Sequence, residues 1–471
     1  MSLLTSSGSF LVPGGVAATG TGTLASAFDT TGLAVASIAA AGLAVAALVE
    51  QQGGGRPAVT VDRSLASLWF AMSFEPTGWE LPPVWDAVAG DYRCADGWIR
   101  LHTNAPHHRA AAMRVLGLPE GPDSGLDRGT VGDAVAAWAG EDLEAEVVAA
   151  GGCAALMRTH AAWLRHPQGA AVAAEPLIAW GTPRTAGPRK RSNAVSSSTH
   201  ARPGYSRPGS SRADSSRPLA GVRVLDLTRV IAGPVASRFL ASLGAEVLRI
   251  DPPWWQEPAV EAEMTVGKRC ARLDLRTADG LAALHRLLDG ADILLHGYRG
   301  GAMERLGLGE AALAARHPGL VDVGLNAYGW TGPWRTRRGF DSLVQMSCGI
   351  ADAGMAYFNA AAPRPLPVQA LDHATGYLAA AAAITSWTRR LQGSARSARL
   401  SLARTAVELA ATAGSGPATP PDPGAHQRVP EDTAWGPGSR LPQALAIDGV
   451  ELRWDVPAAA YGSAPPRWQE P

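Results

Sequence analysis

The stretch Val222-Arg-Val-Leu-Asp-Leu-Thr-Arg-Val-Ile-Ala-Gly-Pro234, continued by Val235–Leu243 and Gly244-Ala-Glu-Val-Leu-Arg-Ile250, reads as strand, tight loop, helix and second strand. The chain leaves the second strand at Asp251-Pro-Pro253. Two strands joined through a helix must run parallel, which implies an α/β sheet. No GxGxxG is present, so the dinucleotide fingerprint is missing. The loop before the helix still offers free N–H groups to a phosphate or thioester ligand at the carboxyl edge of the sheet.

With 471 residues the chain is long enough for two or three domains and a large core. Forty-two basic and forty-two acidic residues cancel, so net charge gives no reason to expect nucleic acid or an anionic membrane as partner. The four cysteines, Cys94, Cys153, Cys270 and Cys348, form no CxxC pair, which suggests a reducing cytosol and neither disulfides nor zinc. Gly32–Val49 has no charge over a length that matches a membrane span. It lacks basic or aromatic flanks and a positive n-region, so a buried helix is the expectation.

That expectation gains from an internal repeat. After Gly32 come an apolar helix, a Gly53-Gly-Gly turn, the strand Ala58-Val-Thr-Val61 and a helix around Ser64–Met72. After Ala374-Thr-Gly376 come an Ala-rich helix, the turn Gln392-Gly-Ser, the strand Arg399-Leu-Ser-Leu402 and a helix at Thr405–Thr412. One supersecondary unit thus occurs twice. In the Thr-Gly register Asp372 falls opposite Phe28, which leaves the first copy chemically blank.

Asp372 is delivered by the proline-pinned run Pro363-Arg-Pro-Leu-Pro-Val-Gln-Ala-Leu-Asp372 to the start of a helix expected from Gly376 to about Trp387. Free N–H groups and the helix dipole there favour an ionised carboxylate, fit to act as a nucleophile. The alternative is an ordinary N-cap. Between the copies, Asp91–Leu101 reads as a hairpin turning at Asp96-Gly97, with helical patterns at about 106–116, 131–150 and 153–165. His102, His107 and His108 have no carboxylate or HxxxH partner at ligand spacing and read as a solvated loop; no metal is expected. Thr182–Arg217, with its Pro188-Arg-Lys-Arg191 cluster, has the composition of a disordered linker.

Leu219–Pro234 and Leu243–Asp251 open a longer succession: Gly267-Lys-Arg269, Leu273-Asp-Leu-Arg276, Ala291–Leu295, Tyr298–Met303, Tyr328–Pro333, Gly339-Phe-Asp341 and Leu371–Gly376. Together and in order these resemble the family III CoA transferases (the CaiB/BaiF family), which include carnitine, bile-acid and formyl-CoA:oxalate CoA transferases and the related α-methylacyl-CoA racemases. The resemblance implies an α/β fold in which a Rossmann-like open parallel sheet forms the large domain beside a small α+β domain. Here these stand in rearranged order. Residues 1–85 form a truncated copy of the helix-strand-helix unit, 86–181 the small domain and 182–217 the linker. Residues 218–415 form the CoA-binding large domain, and 416–471 a C-terminal extension. Asp372 would attack an acyl-CoA, passing through a mixed anhydride and an aspartyl-CoA thioester before CoA reaches the acceptor carboxylic acid. Ile231, Ala232, Leu273, Arg276, Tyr298, Arg299, Arg305, Asn326 and Tyr328 would hold CoA. The loop Tyr328–Pro333 would meet oxyanion charge with its backbone N–H groups. Acyl-CoA is then a substrate, with no cofactor held permanently, and the protein a cytoplasmic homodimer, interlocked as in the family. Two alternatives stand. A racemase needs a second proton carrier where this chain has Phe340, with His373 the nearby substitute. A catalytically idle CoA-binding homologue or partner subunit would keep the fold without turnover.

Overall fold

The computed structural model describes residues 3, 10, 14–121, 124–186, 216–414 and 418–470. The elements that position the site are, in chain order, helices α1 (Thr30–Gln51) and α2 (Arg63–Trp69), strand β1 (Ala179–Trp180), strand β2 (Arg223–Leu227), helix α3 (Ala232–Ser242), and strands β3 (Glu246–Asp251), β4 (Lys268–Arg272), β5 (Ile293–His296) and β6 (Val321–Asn326). Helices α4 (Asp341–Ser347) and α5 (Ala370–Leu391), strand β7 (Ala398–Ser401) and helix α6 (Leu402–Ala410) follow.

Val224, Val247, Ile293, Leu295, Val321 and Val323 fill one face of a sheet, while Leu225, Leu227, Leu248, Ile250 and Leu294 fill the other. Successive side chains alternate across a strand, so near-continuous apolar runs such as these demand cover on both sides. On the first face lie α3 and α5, with α1 packed against α5; on the second lies the helix Ala278–Gly290 through Leu284, Leu287 and Leu288. The sheet has seven strands in the order β4-β3-β2-β5-β6-β7-β1. Every neighbouring pair from β4 to β7 is parallel, and β1 closes the edge antiparallel to β7. The mixed α/β architecture and the parallel sheet expected from Val222–Ile250 are therefore present.

The apolar run 32–49 is the body of α1, apolar all round and therefore suited only to a low-polarity surrounding. α1 is long and apolar enough to cross a membrane, yet 83 % of its most apolar window is buried inside the fold. It packs against α5, a helix of the same 22-residue length. Each is followed by a short strand and a second helix: Val59–Asp62 and α2 after α1, β7 and α6 after α5. The first strand does not join the large sheet. It pairs with Val16–Thr19 and, from the C-terminal extension, with Leu445–Ile447.

Residues 90–156 form an antiparallel sheet of Gly90–Cys94, Gly97–Leu101 and Ala154–Leu156; the expected hairpin is present, but its turn is Ala95-Asp96, because Gly97 already pairs with Cys94. Three boundaries differ from the sequence patterns. The helical pattern at 153–165 is a strand, Ala154–Leu156, pairing with Ile99–Leu101, followed by a helix only at His160–Arg165. The pattern at 131–150 is two helices, Arg128–Ala136 and Gly140–Ala149. α5 begins at Ala370, six residues ahead of Gly376. Of the Thr182–Arg217 stretch, Arg184–Thr185 pairs with Ser394–Ala395, and 187–215 lie outside the described residues.

Gly376 lets α5 approach α3: a Cβ there would stand 2.4 Å from the Ala232 carbonyl oxygen and 2.8 Å from the Val235 side chain. Gly376→Ala is therefore expected to destabilise the protein by about 1–3 kcal/mol, despite the better helix propensity of alanine. Urea melts of the two proteins measure the difference; equal midpoints would show that the helices can part without cost.

Candidate active site

Every residue expected to touch CoA lies at or just beyond the carboxyl end of a parallel strand. Ile231 and Ala232 follow β2, Leu273 and Arg276 follow β4, Tyr298, Arg299 and Arg305 follow β5, and Asn326 and Tyr328 end and follow β6. Such crevices are where open α/β sheets bind ligands, at the point where strand order reverses, here between β2 and β5. The side chains are disposed unevenly. Arg276 is exposed, paired with Asp274 (2.7 Å) and lying 3.7 Å over the Trp254 ring. Tyr298 accepts a hydrogen bond from Arg229 Nη2 at 3.3 Å, and the Arg229 guanidinium lies over both Tyr298 and Trp255. Arg299 and Arg305 are exposed neighbours, and partial burial together with the positive charges of Arg338 and Arg305 lowers the Arg299 pKa. Asn326 and Tyr328 are buried and committed elsewhere. The Asn326 amide makes a two-way bond with the Gly329 backbone, and the Tyr328 hydroxyl meets Ser347 Oγ at 3.0 Å.

Asp372 lies in the first turn of α5 and is buried. Gln369 is the N-cap and makes no side-chain cap bond. The free N–H groups of that turn go to Asp341 instead: the Asp372 N–H donates to Asp341 Oδ2 at 2.9 Å, and the Leu371 N–H also donates to this carboxylate. Gln345 Nε2 donates to Asp341 as well, while Gln345 Oε1 accepts the Leu366 N–H at 2.7 Å. The proline-pinned run is thus tied to α4 at both ends, and Asp341 takes the capping role. Asp372 caps nothing.

The electrostatics follow. Burial raises Asp341 to about 6, opposed by its donors. Asp372 is held well above the usual carboxylate range, first by burial, then by the nearby charges of Asp341 and Glu257. The expected ionised form is therefore not what this environment favours, because the dipole-end N–H groups serve Asp341. His373, next in sequence, is buried against the Phe70 ring (5.2 Å), and burial lowers it to about 3, which leaves it neutral.

The small sheet unit packs onto this half of the molecule within the same chain. Gln168 Nε2 donates to the carbonyls of Tyr328 and Thr331, and its Oε1 accepts the Trp334 N–H. Glu175 Oε1 accepts the N–H groups of Trp330 and Thr331 and the Thr331 hydroxyl. The loop Tyr328–Pro333, expected to supply oxyanion donors, has thus spent its amides at Gly329, Trp330 and Thr331 on Asn326 and Glu175. A cavity of about 510 Å³ lies between the two units, lined by Glu144, Arg158, His166, Arg299, Trp334 and Arg337 among others, and Asp372 is not in its wall. The solvated loop expected at His102, His107 and His108 is absent: His102 is buried and stacked on Phe340 at 3.8 Å, and His107 and His108 lie in the helix Pro106–Val115, His108 buried. Among the described residues no cluster of ligating side chains could hold a metal ion.

Sequence reading had placed neither Asp341 nor Glu257 in the site. Asp341 belongs to the Gly339-Phe-Asp341 motif, and that was the available signal; Glu257 lies in a stretch with none.

A mixed α/β fold with a buried carboxyl at the carboxyl edge of a parallel sheet defines the class. Residues 219–433 match CoA-transferase family III. Rv3272 of Mycobacterium tuberculosis, a probable fatty acyl-CoA transferase, is 34% identical over 188 residues, 37% of this chain and 47% of that protein. Succinyl-CoA–D-citramalate CoA-transferase of Chloroflexus aurantiacus is 36% identical over 147 residues, 28% of this chain and 37% of that protein. The chain spans less than half the length of these curated relatives. A crystal structure of Rv3272 is 36% identical, covering 41% of this chain and 56% of that one with a TM-score of 0.38.

A carboxyl raised in the folded state binds a proton there that the unfolded chain has already released above about pH 4. Stability must then fall as pH rises through that window, by up to about 1.4 kcal/mol per unit for each such group. Asp372→Asn removes the effect, so the variant should gain on the wild type by on the order of 1 kcal/mol between pH 4.5 and 7.5 in urea melts. A variant that instead loses ground as pH rises would mean that Asp372 is ionised in the fold.

Proposed function

We propose that the protein transfers CoA between an acyl-CoA thioester and a carboxylic acid. The observation that carries this reading is Asp372, a desolvated carboxyl in the first turn of α5 beside the crevice at the carboxyl edge. The match of residues 219–433 to CoA-transferase family III supports it, as do relatives named for transfer between succinyl-CoA and D-citramalate and between succinate and glutarate. In the proposed cycle the ionised Asp372 oxygen attacks the thioester carbonyl carbon, the C–S bond breaks, and CoA leaves as thiolate. The thiolate attacks the Asp372 carbonyl of the resulting anhydride and expels the donor's carboxylate, which leaves an aspartyl-CoA thioester. The incoming acid repeats the steps in reverse. A carboxylate can trade places with either partner because the exchange is nearly isoenergetic. Desolvation sharpens the nucleophile once its proton has gone.

The β4-β3-β2-β5-β6-β7 order corresponds to the 3-2-1-4-5-6 order of Rossmann-like sheets, the fold we assign to residues 218–415. We read 1–85 as a truncated second copy of the α5-β7-α6 unit, and 86–181 as the small domain moved ahead of the large one and docked in cis. Ile231, Ala232, Leu273, Arg276, Tyr298, Arg299 and Arg305 are assigned to CoA, Asn326 and Tyr328 to shaping the loop beside it. A cytoplasmic homodimer accompanies this reading. The idle alternative draws on one observation, the commitment of the Gly329–Thr331 amides to internal acceptors.

The two part on a chemical trap. Incubation with succinyl-CoA and hydroxylamine should leave a hydroxamate on Asp372, seen by peptide mass spectrometry. Asp372→Ala and Asp372→Asn should lower CoA exchange by about 10³-fold or more. Intact CoA binding with no adduct and no exchange would place the protein among the idle homologues, whereas exchange that survives both substitutions would remove Asp372 as the nucleophile.

A further inference from the structure

Glu257 comes from the segment between β3 and the helix Glu261–Met264, where Pro253, Trp254, Gln256 and Pro258 are exposed. Its own carboxylate is turned inward, with the side chain only 10% exposed. Three elements hold it. The Val230 N–H donates to both oxygens at 2.9 and 3.1 Å, Arg249 Nη2 to Oε2 at 3.2 Å, and the Tyr461 hydroxyl to Oε2 at 2.9 Å. Arg249 does not depend on Glu257 for a partner, since it also grips Asp251 through Nε and Nη2 at 2.8 and 3.1 Å. Val230 sits at φ 64°, in the left-handed region that a β-branched residue rarely adopts. Strain of this kind persists only where the surroundings enforce it, and it gathers at functional sites. In this conformation the Val230 amide, in the loop that opens α3, is spent on a side chain from a different segment.

The place of these donors matters. Ala232, two residues on, packs its carbonyl against Gly376, one turn beyond Asp372. Glu257 is close enough for its charge to act on Asp372. The amides of the other candidate loop, Gly329–Thr331, are taken. We propose that the Val230 N–H, Arg249 and Tyr461 form a carboxylate-binding cradle beside Asp372, that Glu257 is its resident occupant, and that the carboxylate of an acid substrate takes its place. The transferase reading supplies the ligand class; the cradle itself stands on the geometry. A group already holding the donors competes with any ligand, and the apparent affinity falls by the fraction of molecules in which the cradle is free. The Tyr461 contact further makes the C-terminal extension a part of the site.

The test is calorimetric titration of the full chain, without CoA, using succinate and the neutral analogue succinamide. Glu257→Ala should bind succinate about tenfold more tightly than the wild type, as expected if Glu257 fills the cradle in about nine molecules in ten, with succinamide unchanged. Glu257→Gln, which keeps the shape and removes the charge, should move the same way and serves if the alanine variant fails to fold. Succinate binding within twofold of the wild type in the folded variant, weaker binding, or no binding at all overturns the cradle. CoA exchange is scored separately. Tight succinate binding without exchange would defeat the transferase reading and spare the cradle, whereas exchange with unaltered succinate affinity does the reverse.

Discussion

One carboxylate, Asp341, fixes the geometry around Asp372. Asp341, at the first position of α4, accepts the backbone N–H groups that open α5, and through Gln345 it also reaches the backbone at Leu366. Buried helix ends must find acceptors, and here the acceptor belongs to another helix. The start of α5, the path of the proline-pinned run and the position of Asp372 are thus set together. The cost appears at Asp372, which is buried, lies under the charges of Asp341 and Glu257, and no longer has the helix-end donors to itself. A group so placed holds its proton more readily than an ordinary carboxyl.

Around this point the chain packs pieces that are far apart in sequence. The small sheet unit reaches the crevice through Gln168 and Glu175, and the N-terminal segment supplies Phe70 against His373 and Tyr377. The C-terminal extension brings Tyr461 to Glu257 and lays its backbone along β4, where the Gly267 and Ala464 N–H groups bond to Val456 and Cys270 carbonyls. Covering an edge strand in this way removes a row of unpaired backbone groups that would otherwise invite association.

Much of this was legible because short-range chemistry wrote it. The β-α-β unit at 222–250 follows from apolar runs and one turn, and the helix-strand-helix repeat follows from the similar order of small residues, turn and strand after Gly32 and Gly376. What stayed hidden depended on contacts between distant segments. Ala154–Leu156 has helical composition but is drawn into a strand by pairing with Ile99–Leu101. Asp372 looked like a carboxylate facing a helix dipole because nothing nearby reveals that Asp341, 31 residues earlier, already holds those amides. Glu257 gave no local signal at all, since its role is defined by Val230, Arg249 and Tyr461.

The strand Leu445–Ile447 pairs with Val59–Val61, and Leu445 and Ile447 share the core of α1. Synthesis proceeds from the other end, so a helix as greasy as a membrane segment leaves the ribosome nearly four hundred residues before its cover does. Such late closure raises contact order and prolongs the exposure of sticky surface. Until that strand arrives, this part of the α1 surface has no partner from the C-terminal extension.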